Sequence, residues 1–217
     1  MNFKTVKLGK VAEINPRRPT LDFSDEDIVT FVPMESIDEI TGTIVRAVDR
    51  TFAQVKKGYT VFTESDVIFA KITPCMQNGK HALAQNLIRK IGFGSTEFHI
   101  IWANEDIAPE WIHSFLRHKK TLDAATKTFT GTIGQQRVPS NFLTELEIPL
   151  PPIDQQRRIA AQLKAQLAAV EEARQAAQAQ ISDAKRLITA ILEAAFAVSV
   201  HPLTPATARG PILGADG

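Results

Sequence analysis

A single cysteine, Cys75, stands among 217 residues. That scarcity excludes an intrachain disulfide framework and a cysteine-built zinc site, and it fits a reducing compartment. An excess of charge of either sign is also missing: 25 basic against 24 acidic side chains leave a net +1. Overall charge therefore gives no support for a polyanionic partner, and any nucleic-acid surface must come from local clustering. No apolar run approaches the roughly 20 residues of a membrane span, and Met1-Asn2-Phe3-Lys4-Thr5 lacks the apolar core of a signal peptide. The expectation is a soluble, cytoplasmic protein. Catalytic signatures are missing too. There is no Gly-x-Gly-x-x-Gly, no phosphate loop, no His-Glu-x-x-His, no Gly-x-Ser-x-Gly, and no Asn/Asp-Pro-Pro-Tyr/Phe of the kind used to methylate adenine. The five histidines (His81, His99, His113, His118, His201) show no metal-ligand spacing. Cys75 beside Pro74 offers one alternative, a nucleophile, against the commoner use of a lone cysteine as a small packed hydrophobe. The residues point to a chain without an active site, metal or cofactor of its own.

Glycine and proline vanish after Pro152: from Ile153 to Ala197 there is neither, and Ala, Gln, Arg, Lys, Glu and Leu dominate. Pro151 and Pro152 hold the chain extended and then fit the first turn of a helix, where a missing N–H costs nothing. Ile159, Leu163, Leu167, Val170, Ala177, Ile181, Ala184, Ile188, Ile191 and Ala195 recur in steps of three and four, with one gap near Ala173. This is a heptad-like seam on a helix roughly 65 Å long. Alanine at 173, 176, 177 and 179 permits close helix approach, while Ile181, Ile188 and Ile191 offer area to bury. Such a helix overruns a small domain and calls for a partner; the alternative is that it folds back on its own domain.

The first 150 residues hold all the Trp and Tyr and nearly all the Phe, enough for a core that folds by itself. They read as mixed α and β. Val6 to Ile14 is expected as an amphipathic helical turn, Thr30 to Met34 as a strand, and Thr41-Gly42-Thr43 as a turn. Thr60-Val61-Phe62 and Val67 to Ala70 form a hairpin-like arrangement around Glu64-Ser65-Asp66. His81 to Leu87, Thr96 to Trp102 and Leu146 to Leu150 are strands, and Pro109 to Leu122 is one helix. The final segment, His201 to Gly217, lacks periodicity and is expected to be disordered.

Two polar loops carry recognition chemistry. Lys71 to Lys80 offers Lys71, Thr73, Asn78 and Lys80 on a backbone pinned by Pro74 and loosened by Gly79. Thr130 to Ser140 offers Thr132, Gln135, Gln136 and Arg137. Amides and guanidinium groups suit base edges, and lysines and hydroxyls suit phosphates. Gly92-Phe93-Gly94-Ser95-Thr96 would let backbone approach a phosphate, or simply turn the chain. Arg17-Arg18, Lys56-Lys57 and Arg89-Lys90, with Arg117, Lys119 and Lys120, are candidates for an electrostatic footprint or ordinary surface.

These blocks, taken in order, resemble one half of a DNA-specificity (S) subunit of a type I restriction-modification system. The matching segments are Val6 to Ile14, Phe69 to Lys80, Gly92 to Phe98, Gly131 to Val138 and Ile148 to Ile159, spread over residues 6–197. The resemblance implies an α+β target recognition domain (1–150), then a long helix (151–198) that pairs as an antiparallel coiled coil, then a tail (199–217). It implies a non-catalytic role: reading half of a split duplex site, with adenine methyltransferase subunits docked on the helix and restriction subunits possible in the same complex. S-adenosylmethionine would be bound by the methyltransferase. An S subunit with two recognition domains has two such helices, and this sequence has one. Either the chain is a natural half-subunit, which implies a homodimer through Ile159, Leu163, Leu167, Val170, Ile181, Ile188 and Ile191 reading a palindromic split site, or it is a fragment of a longer protein. Lys71, Thr73, Asn78, Lys80, Ser95, Thr132, Gln135, Gln136 and Arg137 are the residues expected on DNA, with base readers also conceivable in Asp38 to Lys57. A coiled-coil protein-interaction module with no nucleic-acid role is the rival reading.

Overall fold

The computed structural model describes residues 3–17, 20–132 and 134–197. The chain opens with β1 (Thr5–Lys7), β2 (Ala12–Ile14), β3 (Ile28–Val32) and β4 (Val48–Thr51), followed by the short helix α1 (Phe52–Val55). Next come β5 (Thr60–Thr63), β6 (Val67–Ala70), β7 (His81–Leu83), β8 (Ile91–Gly94) and β9 (Phe98–Ala103). Three helices follow, α2 (Pro109–Leu116), α3 (Lys119–Thr126) and α4 (Ser140–Glu145), and then β10 (Glu147–Pro149) leads into α5 (Ile153–Ala197).

β6 is buried at all four positions, the pattern of a strand covered on both faces. It lies inside a sheet of order β2-β9-β6-β7, antiparallel throughout. A second sheet runs β4-β3-β8-β5, with β3 and β8 parallel. β1 pairs with β10, so the start of the chain is tied to the segment that enters α5. Leu8, Val67, Phe69, Ile101, Ile112 and Leu143 share one core, and Phe62, Ile68, Phe98 and Ile100 a neighbouring one. Burying several such side chains at roughly 1.5–3 kcal/mol each is the main favourable term.

The mixed α/β reading holds, but several local expectations do not. Val6 to Ile14 is strand, 3₁₀ turn and strand, because its two ends pair with β10 and β9 while Leu8 plugs the core. β5 and β6 are both strands but not a hairpin. The Asp66 carboxylate accepts from the Thr63 N–H and hydroxyl, and Ser65 turns the chain at φ 73°, sending β6 into the other sheet. The helix expected over Pro109 to Leu122 is two helices, broken where His118 is extended. His81 to Leu87 is strand only to Leu83, and α4 begins at Ser140, where a loop was expected.

The glycines of Gly92-Phe93-Gly94 serve packing. They lie in β8 rather than in a phosphate-binding turn, and a Cβ at Gly92 would sit 2.2 Å from the Phe62 ring. At Gly94 it would meet the Val32 carbonyl at 2.8 Å.

α5 is one helix of 45 residues, about 67 Å long. Its first turns are anchored through Gln156, whose side chain is fully buried. The amide oxygen accepts from the Ala108 N–H at 2.8 Å, and the amide nitrogen donates to the Pro151 and Asp106 carbonyls. Trp111 Nε1 adds a 2.8 Å bond to the Pro149 carbonyl. The chain divides into two compact units, Met1–Glu171 and Glu172–Gly217, the cut falling within α5. The first unit thus takes in the opening turns of the helix, beyond the sequence-based boundary at 150. Among the seam residues Ile159 is half-buried, whereas Leu163, Leu167, Val170, Ile181, Ile188 and Ile191 are exposed, from 39% at Leu163 to 65% at Val170. The tail expected over 199–217 lies outside the described residues. Among the described residues no helix is long and apolar enough to cross a membrane.

Candidate nucleic-acid interface

Three sequence blocks that are far apart along the chain are stitched together by backbone. The Lys71 N–H donates to the Glu97 carbonyl, the Thr73 N–H to the Gln136 carbonyl, and the Val138 N–H to the Lys71 carbonyl, each at 2.9 Å. Ile72 and Thr130 both form isolated β-bridges to Arg137. The 71–80 loop, the Ser95-Thr96-Glu97 turn after β8 and the 130–138 loop therefore form one surface. Their footing is His99, buried beneath them: its Nε2 donates to the Val138 carbonyl at 2.9 Å and its Nδ1 accepts from the Asn15 amide at the same distance. Burial pushes the His99 pKa down, which keeps the ring neutral and this pair of bonds intact.

Arg137 is the centre of this surface. Its Nε and Nη2 grip the two Glu97 carboxylate oxygens at 2.8 and 2.7 Å, and Nη1 donates to the Gln135 carbonyl at 2.8 Å. Hydrogen bonding from Arg137 holds the Glu97 carboxyl below the usual carboxylate range, with the charges of Arg137 and Lys71 adding to it. Ser95 accepts the Glu97 N–H at 3.1 Å and so shapes the turn that presents the carboxylate. Thr73 donates its hydroxyl to the Gln77 side chain at 2.6 Å. Thr132 and Gln135 are exposed and Gln136 is half-buried, with the Gln135 N–H closing the loop onto the Thr132 carbonyl. Ile133, in the same loop, lies outside the described residues.

Lys71, Thr73, Ser95, Gln135, Gln136 and Arg137 are thus brought together, with Thr132 at the loop tip. The far end of the 71–80 loop is used differently. Asn78 is exposed, but Lys80 donates to the Ile37 carbonyl at 2.9 Å. Beside it the Arg117 guanidinium reaches three carbonyls, those of Gly79 (2.9 Å), Glu39 (3.2 Å) and Ile40 (2.6 Å). Lys80 and Arg117 brace the 37–42 loop against the 71–80 loop.

The expected electrostatic footprint is correspondingly reduced. Arg117 is committed inside the fold, Lys56 pairs with Asp25 at 2.7 Å, and Lys119 with Asp123 at 2.8 Å. Arg89 pairs with Asp27 at 2.8 Å and lies over the Phe23 ring. Arg18 falls outside the described residues. Cys75 packs half-buried against the core of Phe62, Ile68 and Phe98, as a small hydrophobe does. No group of His, Cys, Asp and Glu among the described residues is arranged to hold a metal ion.

Residues 1–180 match the type I restriction modification DNA specificity domain. The chain belongs to this family. Over 153 residues it is 36% identical to the specificity subunit of the type I restriction enzyme EcoAI of Escherichia coli, and over 155 residues 34% identical to that of EcoEI from the same organism. Those alignments cover 70% and 71% of the chain but 26% of each relative. Among solved structures the specificity domain is similar to the HsdS subunit from Thermoanaerobacter tengcongensis, with a TM-score of 0.66 and 27% identity over 96% of the chain and 52% of that subunit. A chain from a study of complex assembly and conformational transition in the type I R-M system gives a TM-score of 0.69 at 25% identity, covering 95% of this chain and 52% of that one. The specificity domain thus spans about a quarter of its curated relatives and about half of its solved ones.

Two residues, one on the candidate surface and one at the root of α5, escaped the sequence reading. Glu97, an acid in a stretch read for its glycines, proves to be the partner of Arg137, and Gln156, quoted only as part of a block, proves to be the anchor of the helix. Neither has a local signal; only the pairing of distant segments exposes their roles.

Proposed function

We propose that this chain is a non-catalytic DNA sequence-specificity module of a cytoplasmic type I restriction-modification system. It binds half of a split duplex site through the surface formed by the 71–80, 95–97 and 130–138 segments. The observation that carries this reading is the convergence of Lys71, Thr73, Gln135, Gln136 and Arg137, from two distant blocks, onto one polar surface. In a family of DNA specificity domains, amides and guanidinium in that setting suit base edges, and lysine and hydroxyls suit phosphates. The domain assignment goes with it: recognition over 1–150, helix over 151–198. The adenine methyltransferase, carrying S-adenosylmethionine, docks on the helix, and a restriction subunit joins the same complex where one exists.

α5 pairs with the helix of a second copy as an antiparallel coiled coil. Supporting this is a row of exposed Leu, Val and Ile side chains at seam positions, with further exposed Leu187, Leu192 and Phe196, more apolar area than a solvated helix carries. A two-fold pair of such chains reads a palindromic split site, with helix length setting the separation of its halves. Light scattering tests the pairing. The wild-type chain should show the mass of two copies, and Leu163→Glu with Ile181→Glu the mass of one. A doubled mass retained in that variant would place the interface elsewhere, and a single-copy mass for the wild type would remove the homodimer.

A further inference from the structure

Arg137 offers five N–H donors, and among the described residues three are taken: Nε and one on Nη2 by Glu97, and one on Nη1 by the Gln135 carbonyl. The two that remain sit one on each terminal nitrogen. The guanidinium is held at both ends of its fork, by a carboxylate and by its own loop, while 39% of the side chain stays exposed. The loop is itself locked by reciprocal backbone bonds between Thr130 and Arg137 at 3.0 and 2.9 Å. A cation meant for phosphate needs reach and net charge. This one has neither, because its position is fixed and its charge is offset by Glu97. One donor on each of two terminal nitrogens, on a guanidinium held in a fixed orientation, instead suits a pair of acceptors on a base edge, and among base pairs the O6/N7 edge of guanine in the major groove is the one that presents two acceptors to such a fork.

Building on the DNA-binding function proposed above, we infer that Arg137 and Glu97 form a base-reading unit, in which Arg137 reads a guanine and Glu97 is the positioning residue that aims it. Glu97 also limits indiscriminate attraction, since a carboxylate beside Lys71 and Arg137 weakens the local pull on the phosphate backbone. Non-specific affinity is electrostatic and specificity is not, so this arrangement gives up the first to sharpen the second. Lys71 is left as the phosphate contact of the same surface, since the Thr73 hydroxyl is spent on Gln77.

The test is selection from a pool of random-sequence duplexes with the full chain, alone and with its methyltransferase, followed by affinity measurements on the enriched duplex and on mixed-sequence duplex. The wild type should enrich a motif containing guanine. Glu97→Gln should lose the preference for one guanine by about ten-fold or more, keep the rest of the motif, and bind mixed-sequence duplex as well as or better than the wild type. Arg137→Lys, which keeps the charge but not the fork, should lose the same preference while holding mixed-sequence affinity within about two-fold. A role in loop folding alone would weaken all duplexes together, and that result would overturn the inference. So would an unchanged motif in both variants, or an Arg137→Lys chain that keeps the guanine. If the wild type enriches no sequence and binds no duplex, the DNA-binding function fails and the base-reading unit with it. A wild-type motif that both variants preserve overturns the base-reading unit alone.

Discussion

Arg117→Ala is expected to destabilise the chain by about 3 kcal/mol, the largest loss foreseen for any charged residue outside the core. One guanidinium satisfies the carbonyls of Gly79, Glu39 and Ile40. Hydrogen bonds to a charged donor contribute roughly 1.5–3 kcal/mol each, and the two bonds on the exposed side are discounted for solvent. The 37–42 loop is shaped around this group. A Cβ at Gly42 would fall 2.5 Å from Arg117 Nη1, so the backbone has been drawn in to where only glycine fits. Without the guanidinium that space is void and three acceptors lose their donor. Urea unfolding of Arg117→Ala should show the loss, together with a fall in Tm of roughly 6–12 °C for a chain of this size. Arg117→Lys should recover less than half of it, because a single ammonium cannot span three carbonyls. A loss below about 1 kcal/mol in the alanine variant would mean that the 37–42 loop stands without the brace.

Lowering the pH from 7.5 to 5 should remove on the order of 3 kcal/mol of stability, well before the carboxylates titrate. The main cause is two histidines held neutral, with His99, also pushed down by burial, adding to it. His81 is fully buried, stacked on Phe69 with centroids 4.1 Å apart, and its Nδ1 accepts the Ala70 N–H at 3.2 Å. A proton on that nitrogen would face an N–H. Burial, with Arg117 and His113 adding to it, pushes its pKa down to about 3. His113 donates Nε2 to the His81 carbonyl at 3.1 Å, and burial takes its pKa down to about 4, again with Arg117 contributing. The ordinary value is 6.5. Below 6.5 the unfolded chain binds protons that the folded one refuses, so stability falls as the pH falls, and the loss levels off only near pH 4 to 3. At pH 5 each group contributes about 2 kcal/mol, reduced for the pair because the two histidines are coupled. His113→Gln should reduce the slope of stability against pH between 6.5 and 5 by up to about half, His81 and His99 supplying the rest. A flat profile over that interval would show that these rings are not neutral in the fold. The two predictions also interlock: Arg117→Ala removes a cation from both histidines and should make the acid loss smaller.

The parts of this fold that a sequence reveals are those whose cause is local. α5 announced itself by lacking glycine and proline over 45 residues, and β6 by an unbroken apolar run. β9 showed itself by β-branched residues and alternation. Where the cause lies across the chain, local reading failed. Gly92 resembles a turn glycine until Phe62 is seen to occupy the space of its side chain. Thr60 to Ala70 resembles a hairpin because nothing local states that β5 prefers β8. Arg117 and Arg89 read as surface cations, and only the fold shows one among carbonyls and the other against Asp27 and Phe23. The candidate surface follows the same rule. Lys71, Thr73, Gln135, Gln136 and Arg137 were legible as polar residues in pinned loops. That Ser95-Thr96-Glu97 would supply a carboxylate between those loops was not, because the Arg137–Glu97 contact spans 40 residues.

Duplex binding by the 71–80, 95–97 and 130–138 surface is the central claim. The direct measurement is the equilibrium constant for mixed-sequence duplex DNA across a range of salt concentrations, made with the chain alone and in complex with an adenine methyltransferase. In at least one of the two states log Kobs should fall linearly with log salt concentration, and Lys71→Ala should make that slope shallower by about one. Binding that is absent or insensitive to salt in both states would contradict the account and leave the helix as the stalk of a protein-interaction module.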